Sequence, residues 1–312
     1  MWFDLSIEGL ERGLKEKLET ILPKERILTE EPMSRHTTFR VGGPAEYFLT
    51  VNTAEELRSV MACLREEGMP YFLLGNGSNL LVGDRGYRGA VVRLGGIFET
   101  VEAQDGTIRA GAGASLALTA RRAMENGLCG MEFASGIPGT LGGAVRMNAG
   151  AYGGEMSMLV RSVDIMDEQG SVRTLDHEEM AFGYRTSVIK NSPWTVLGAS
   201  LVLEKGDREE IAAQMQRLAQ QRREKQPLEF PSAGSTFKRP EGNFAGKLIM
   251  DAGLRGARVG DAQVSEKHCG FVVNTGHASA RDVLGLIEHV QDEVKSQFGV
   301  DLEPEVRMIG EF

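Results

Sequence analysis

The distribution of glycine constrains this chain more than any other feature. Of its 312 residues 39 are glycine, and they crowd into residues 68–95 and 127–154. Glycine loses the most backbone freedom on folding, so dense clusters signal forced backbone geometry or close approach to a ligand. LLGNGSNLLVGD (73–84) runs an apolar strand into Gly75, Asn76, Gly77, Ser78 and Asn79, then out into a second apolar strand. Consecutive small residues let N–H groups converge on an anion, and Ser78 and Asn79 add side-chain donors. GIPGTLGGAVRMNAGAYGGE (136–155) places Gly136, Pro138, Gly139, Thr140, Gly142 and Gly143 around a helix expected to open at Thr140. A helix N-terminus behind glycines suits an anion. Two such loops suit one diphosphate gripped from both sides, and so a long cofactor better than a small substrate. The alternative is a pair of purely structural turns.

Other glycine signatures fail on spacing. GAGASL (111–116) lacks the third glycine and the later acidic residue of a dinucleotide fingerprint. GNFAGKL (242–248) is one residue short of a phosphate-binding P-loop and has Leu248 where Ser or Thr is required.

The net charge of −9 argues against broad nucleic-acid binding, so an anionic ligand needs a local basic pocket. Cys63, Cys129 and Cys269 are scattered and odd in number, which fits neither a disulfide framework nor a zinc site. Reduced thiols, no metal and a cytoplasmic setting are expected. The opening MWFDLSIEGLERGLKEKLE has no basic-then-apolar leader, and no apolar run approaches the ~18 residues of a membrane span.

Periodicity predicts the elements. A helix over 6–22 is capped by Ser6, with Leu10, Leu14, Leu18 and Ile21 as its stripe. A second helix covers 53–67, with Thr53 and Glu56 as a capping box and Gly68 as its stop. YFLL (71–74) and AVVRL (90–94) complete a small βαβ-like unit ending near residue 95. Next come strands at FETVEA and TIRAGAG, a helix at 115–126, and a hairpin of SVDIMD and SVRTL around EQG. In TVLGASLVLEK (195–205), Leu197, Ala199, Leu201 and Leu203 alternate onto one face. A polar helix at 207–226 connects to a last piece with helices near 244–252 and 279–298 and strands at 270–274 and 305–309. The class is α+β rather than an alternating doubly wound sheet.

One serine stands out. PSAGSTFKRP (231–240) sets Ser235 after a glycine and before an aromatic and two basic residues. A serine nucleophile needs an activating histidine, but none of His36, His177, His268, His277 and His289 sits in a hydrolase signature, and GxSxG is absent.

HTTFRVGGPAEYF, LLGNGSNLLVGD, GIPGTLGGAVRMNAGAYGGE, FGYRTSVIK, AGSTFKRP and LEPEVRMIG occur in that order. The ordered set closely resembles the UDP-N-acetylenolpyruvoylglucosamine reductase family of bacterial peptidoglycan precursor synthesis, from about residue 30 to the C-terminus. The short path from FGYR to the connector helix resembles the branch lacking an extra substrate-covering loop. The resemblance implies a two-lobed FAD-binding region of the p-cresol methylhydroxylase and vanillyl-alcohol oxidase type, followed by a smaller α+β substrate domain. The expected division is an N-terminal helical segment at 1–29, an FAD-binding region at 30–205 split near 95, and a C-terminal domain at 206–312. The resemblance also implies noncovalent FAD, NADPH as reductant, UDP-N-acetylglucosamine enolpyruvate as substrate, and UDP-N-acetylmuramate as product. A monomer without nucleic-acid or membrane partners is expected.

The family pattern gives Ser235 the role of proton donor to carbon. A weak neutral acid within reach serves an enolate-like carbon without a histidine. Arg185, in FGYRTS, is expected to stabilise the substrate carboxylate, because a guanidinium grips carboxylates bidentately. Family register selects Glu305 over Glu303 as a second acid, with a raised pKa so that its acid form donates. Tyr184, Lys238 and Arg239 are expected to contact substrate. His36, Thr38, Arg40 and Gly42 are expected to shape the flavin site. An FAD-dependent oxidase of the same fold is the competing enzyme, and a flavin- or nucleotide-binding module the nonenzymatic one.

Overall fold

The computed structural model describes residues 7–312, with side chains from residue 13 onward. Ser6 and the side chain of Leu10 lie outside the described residues. The fold is α+β, and its contacts group into two compact units that interleave along the chain. The first comprises residues up to Thr29, Tyr47–Gly75 and Gly89–Ala219; the second comprises Glu30–Glu46, Asn76–Arg88 and Gln220–Phe312.

A four-stranded sheet, most of whose residues belong to the first unit, has the order Ile27–Pro32, Pro44–Val51, Tyr87–Leu94, Tyr71–Leu74. The last two strands run parallel, with Tyr71 opposite Ala90. Helices α1 (Ile7–Ile21) and α2 (Ala54–Glu66) supply Leu14, Leu18, Leu57, Val60, Met61 and Leu64 to the core. Thr53 caps α2 by accepting the Glu56 N–H, and Gly68 ends it at φ 65°. The capping box expected there is only half formed. The Glu56 carboxylate takes the Asn52 N–H at 2.7 Å, one residue early, and both Arg26 terminal nitrogens at 2.8 Å. The guanidinium offers two charged bonds that a backbone amide cannot match.

A five-stranded antiparallel sheet follows, in the order Val172–Asp176, Val160–Met166, Thr195–Val202, Thr107–Gly111, Val101–Gln104. Leu197 breaks the alternation expected of the third strand. Asp164 faces Gly198 while Ile165 faces Val196, so Leu197 is an extra residue. That bulge buries Val196 and leaves Leu197 half-buried. Helices α3 (Leu116–Glu125) and α4 (Leu141–Met147) pack here, capped by Ser115 and Thr140. Helix α5 (Arg208–Lys225) is polar and buries only Ile211 and Leu218.

The core of the second unit lies between helices α6 (Ala245–Asp251) and α7 (Ala280–Phe298) and a three-stranded antiparallel sheet, Arg258–Val259, Ala262–Val264, Val272–Asn274. The first two strands of that sheet went unpredicted. Along α7, Val283, Leu286, Ile287, Val290 and Val294 are buried at helical spacing. Asp84 ends the first glycine-rich segment by accepting the Ala280 and Arg281 N–H groups at 2.7 and 2.9 Å, which anchors that segment on the α7 N-terminus. Arg307–Ile309 pairs in parallel with Leu80–Val82. This last strand starts two residues later than expected, so Glu305 precedes it.

Candidate active site

Ser235 lies in an extended segment of the second unit that is flanked on two sides. On one side Ser232 bridges Val273, the Asn274 N–H donates to Pro231 O at 2.9 Å, and the Thr236 N–H donates to Gly270 O at 2.8 Å. On the other side Phe237 bridges Pro304, the Glu305 N–H donates to Thr236 O at 2.8 Å, and the Lys238 N–H donates to Glu303 O at 2.9 Å. Thr236 is fully buried, and its hydroxyl accepts the Val272 N–H at 2.9 Å. Ser235 itself is exposed. Gly234 precedes it at φ 77°, a left-handed turn that glycine adopts without strain. The segment is thus rigid where it is buried and open at the serine.

The two glutamates of the 302–310 motif separate. Glu303 is exposed and ion-pairs with Lys238. Glu305 is half-buried, one residue across from the Ser235 segment. Lys238, expected to face substrate, is therefore already partnered by a carboxylate. Arg239 stacks over Phe244 at 4.0 Å from the ring centroid.

The first glycine loop crosses from one unit to the other between Gly75 and Asn76. Gly77 sits at φ 61°, and a Cβ there would fall 2.0 Å from the His36 carbonyl oxygen. Its own carbonyl accepts the Thr38 N–H at 3.1 Å. The Thr38 hydroxyl also donates to Ser232 O at 2.6 Å, so the His36–Gly43 stretch ties this loop to the serine segment. Asn79 was expected to aim its amide at an anion. One N–H of that amide instead donates to Glu305 O at 3.0 Å.

In the first unit a Cβ on Gly75 would lie 2.6 Å from the Thr140 hydroxyl, so the two glycine loops approach closely there. At the N-terminus of α4, two of the amides expected to face an anion are already bonded within the chain. Its Leu141 and Gly142 N–H groups donate to Ala114 O and Ala112 O at 2.8 and 2.9 Å. Those carbonyls come from the turn leading into α3, and they take the amides before any ligand can. Around Gly143 a Cβ would meet only Thr140 Oγ1, at 3.6 Å, which leaves the backbone open.

Tyr184 and Arg185 form the tip of a tight turn closed by reciprocal bonds between Gly183 and Thr186. Arg185 adopts φ 54°, strained for a residue with a Cβ. Its guanidinium donates to Gly150 O at 3.1 Å and lies 5.3 Å from the Tyr184 ring centroid. Asn148 holds this turn and was missed from sequence. It is 1% exposed, donates to Gly183 O at 3.0 Å and accepts the Ser157 N–H at 2.9 Å. The signal was available: an asparagine just past a short helix is a candidate left-handed cap, and Asn148 has φ 43°.

Beside the serine segment, burial pushes the His268 imidazole pKa down and the Cys269 thiol up. Both effects favour the uncharged form. Neither residue is poised as a cationic acid or a thiolate.

Two family models match the chain, an FAD binding domain over residues 45–176 and a UDP-N-acetylenolpyruvoylglucosamine reductase C-terminal domain over residues 226–309. The UDP-N-acetylenolpyruvoylglucosamine reductase of Caldanaerobacter subterraneus subsp. tengcongensis is 52% identical over 299 residues, covering 96% of this chain and 98% of the relative. The chain belongs to the UDP-N-acetylenolpyruvoylglucosamine reductase family. The reductase of Clostridioides difficile is 51% identical over 94% of this chain and 97% of its own. The crystal structure of the reductase from Thermus caldophilus matches with a TM-score of 0.77 at 40% identity, covering 89% of this chain and 97% of that one. The chain is an oxidoreductase with an FAD-binding domain, joined to the C-terminal domain of this reductase family.

The residues present fit FAD. The matched domain contains both glycine loops, Gly75 packs directly on the Thr140 side chain, and the Gly143 backbone is covered by nothing nearer than Thr140 Oγ1 at 3.6 Å from a Cβ built there. Among the described residues no group of three or more His, Cys, Asp or Glu side chains forms a metal cage, and no helix is long and apolar enough to cross a membrane.

Proposed function

We propose that this chain reduces UDP-N-acetylglucosamine enolpyruvate to UDP-N-acetylmuramate with NADPH, in the cytoplasmic synthesis of peptidoglycan precursors. The observation that carries this reading is the backbone pairing of the Ser235 segment with the segment of the half-buried Glu305. Family membership supplies the substrate class.

Reducing the vinyl ether consumes its C=C bond and adds a hydride to the terminal carbon and a proton to the neighbouring carbon. FAD, when bound, would supply the hydride chemistry, with NADPH as the reductant. The Gly75–Ser78 loop and Gly136, Pro138, Gly139, Thr140 and Gly143 would hold FAD noncovalently, with Gly142 supporting the second loop by packing its bare backbone against Ala112.

The protein's own residues manage the charge. Arg185 pairs with the substrate carboxylate, into which negative charge spreads as the hydride arrives. Glu305 in its acid form donates a hydrogen bond to the same developing enolate. Ser235 gives its hydroxyl proton to the carbon bearing the carboxylate. Because Ser235 is exposed in its own unit, the proton can be restored from water. Tyr184 and Arg239 are proposed as substrate contacts, and Lys238 as one that must first loosen from Glu303.

Anaerobic single turnover tests the reading. Flavin reduced by NADPH, freed of excess reductant and mixed with the enolpyruvate, should reoxidise at once and yield UDP-N-acetylmuramate. Flavin that stays reduced until oxygen enters would instead indicate an oxidase.

A further inference from the structure

The Glu305 peptide is held at both of its polar ends. Its N–H donates to Thr236 O at 2.8 Å, and its carbonyl accepts the Asn79 side-chain amide at 3.0 Å. Asn79 grips the same segment again two residues on, where its own carbonyl accepts the Arg307 N–H at 3.1 Å. All of these residues belong to the second unit. Asn79 sits between Gly77, which is pinned by Thr38, and the strand Leu80–Val82, which pairs in register with Arg307–Ile309. Sliding or rotating the Glu305 peptide would break a bond on each face.

We propose that Asn79 is a positioning residue for Glu305, fixing the backbone from which the carboxyl reaches the developing enolate. This rests on the role of Glu305 proposed above. It distinguishes Asn79 from its neighbours in the loop: they approach the cofactor, whereas Asn79 acts through the acid. Small displacements matter here, because the benefit of a placed acid falls steeply with misalignment.

The test uses the FAD-loaded enzyme with Asn79→Ala, Glu305→Gln and the double variant. FAD affinity is read by flavin fluorescence, and the two half-reactions by stopped flow. Asn79→Ala should leave FAD affinity and flavin reduction by NADPH unchanged, and should slow reoxidation by the enolpyruvate about tenfold. The double variant should be no slower than Glu305→Gln alone, because Asn79 has nothing left to position. Asn79→Asp, which keeps size but sets an acceptor against the Glu305 carbonyl, should show the same pattern and covers the case in which the alanine variant does not fold. Weakened FAD binding with normal reoxidation of the loaded fraction would make Asn79 a cofactor ligand and overturn the proposal. Losses that multiply in the double variant would also overturn it. Wild-type reoxidation in Glu305→Gln would overturn the role of Glu305 itself, a result distinct from either.

Discussion

The backbone N–H of Glu305 donates to the carbonyl of Thr236 at 2.8 Å, which ties the half-buried carboxyl of one segment to the residue beside Ser235 on the other. That bond runs between backbone atoms, so a change of the Glu305 side chain leaves it in place. Glu305→Gln should therefore fold normally and keep NADPH-driven flavin reduction. It should slow reoxidation by the enolpyruvate by at least about tenfold, because the carboxamide N–H is a much weaker donor to a developing charge than the carboxyl O–H it replaces. Stopped-flow traces of the two half-reactions check this.

The strained turn at Arg185 gives a second expectation. Lysine retains the charge at Arg185 but loses the planar fork that grips a carboxylate. Arg185→Lys should lower kcat/KM for the enolpyruvate by about tenfold and leave the thermal midpoint nearly unchanged. Asn148→Ala should act differently. It removes two buried bonds under the turn and should cost about 2 kcal/mol of stability, measured by denaturant unfolding.

The two glycines of the first loop should respond unequally to alanine. At Gly75 the new methyl meets a hydroxyl that can turn away; at Gly77 it meets a backbone carbonyl at 2.0 Å, in a left-handed conformation. Expected losses are about 1 kcal/mol for Gly75→Ala and about 3 kcal/mol for Gly77→Ala. Equal losses in urea unfolding would contradict the geometry.

The Arg26–Glu56 pair sets a pH dependence. The hydrogen bonds from Arg26 hold the Glu56 carboxyl below its ordinary value near 4.5. A depressed carboxylate stabilises the fold fully above the unfolded value, and that contribution disappears as pH falls through the lower folded value. Between the two values, stability should decline less steeply in Glu56→Gln than in the parent, as read from unfolding midpoints across acid pH.

Much of this was legible in the chain. Thr53, Ser115, Thr140 and Ser279 mark helix starts because their hydroxyls satisfy the N–H groups a helix leaves over, and Gly68 and Gly299 mark ends because they accept left-handed backbone. The glycine loops and the Ser235 motif were equally plain. What escaped depends on partners distant in sequence. Leu197 reads as an alternating core residue until pairing with the strand Val160–Met166 forces a bulge. The α4 amides read as free until Ala112 and Ala114 take them. Asn79 reads as an anion donor until Glu305, 226 positions away, accepts its amide. The grouping of residues 30–46 and 76–88 with 220–312 likewise follows from pairings such as Leu80–Val82 with Arg307–Ile309, which no local pattern announces.

Ser235→Ala is the variant to measure first, in anaerobic stopped flow with each half-reaction followed separately. The hydroxyl is exposed and the neighbouring Thr236 carries the structural bonds, so the variant should fold and bind FAD as the parent does. Flavin reduction by NADPH should be unchanged, while formation of UDP-N-acetylmuramate should slow by at least about 10²-fold, the lower range for a positioned general acid. Equal slowing of both half-reactions, or product formation at the parent rate, would contradict the assignment of Ser235 as the proton donor.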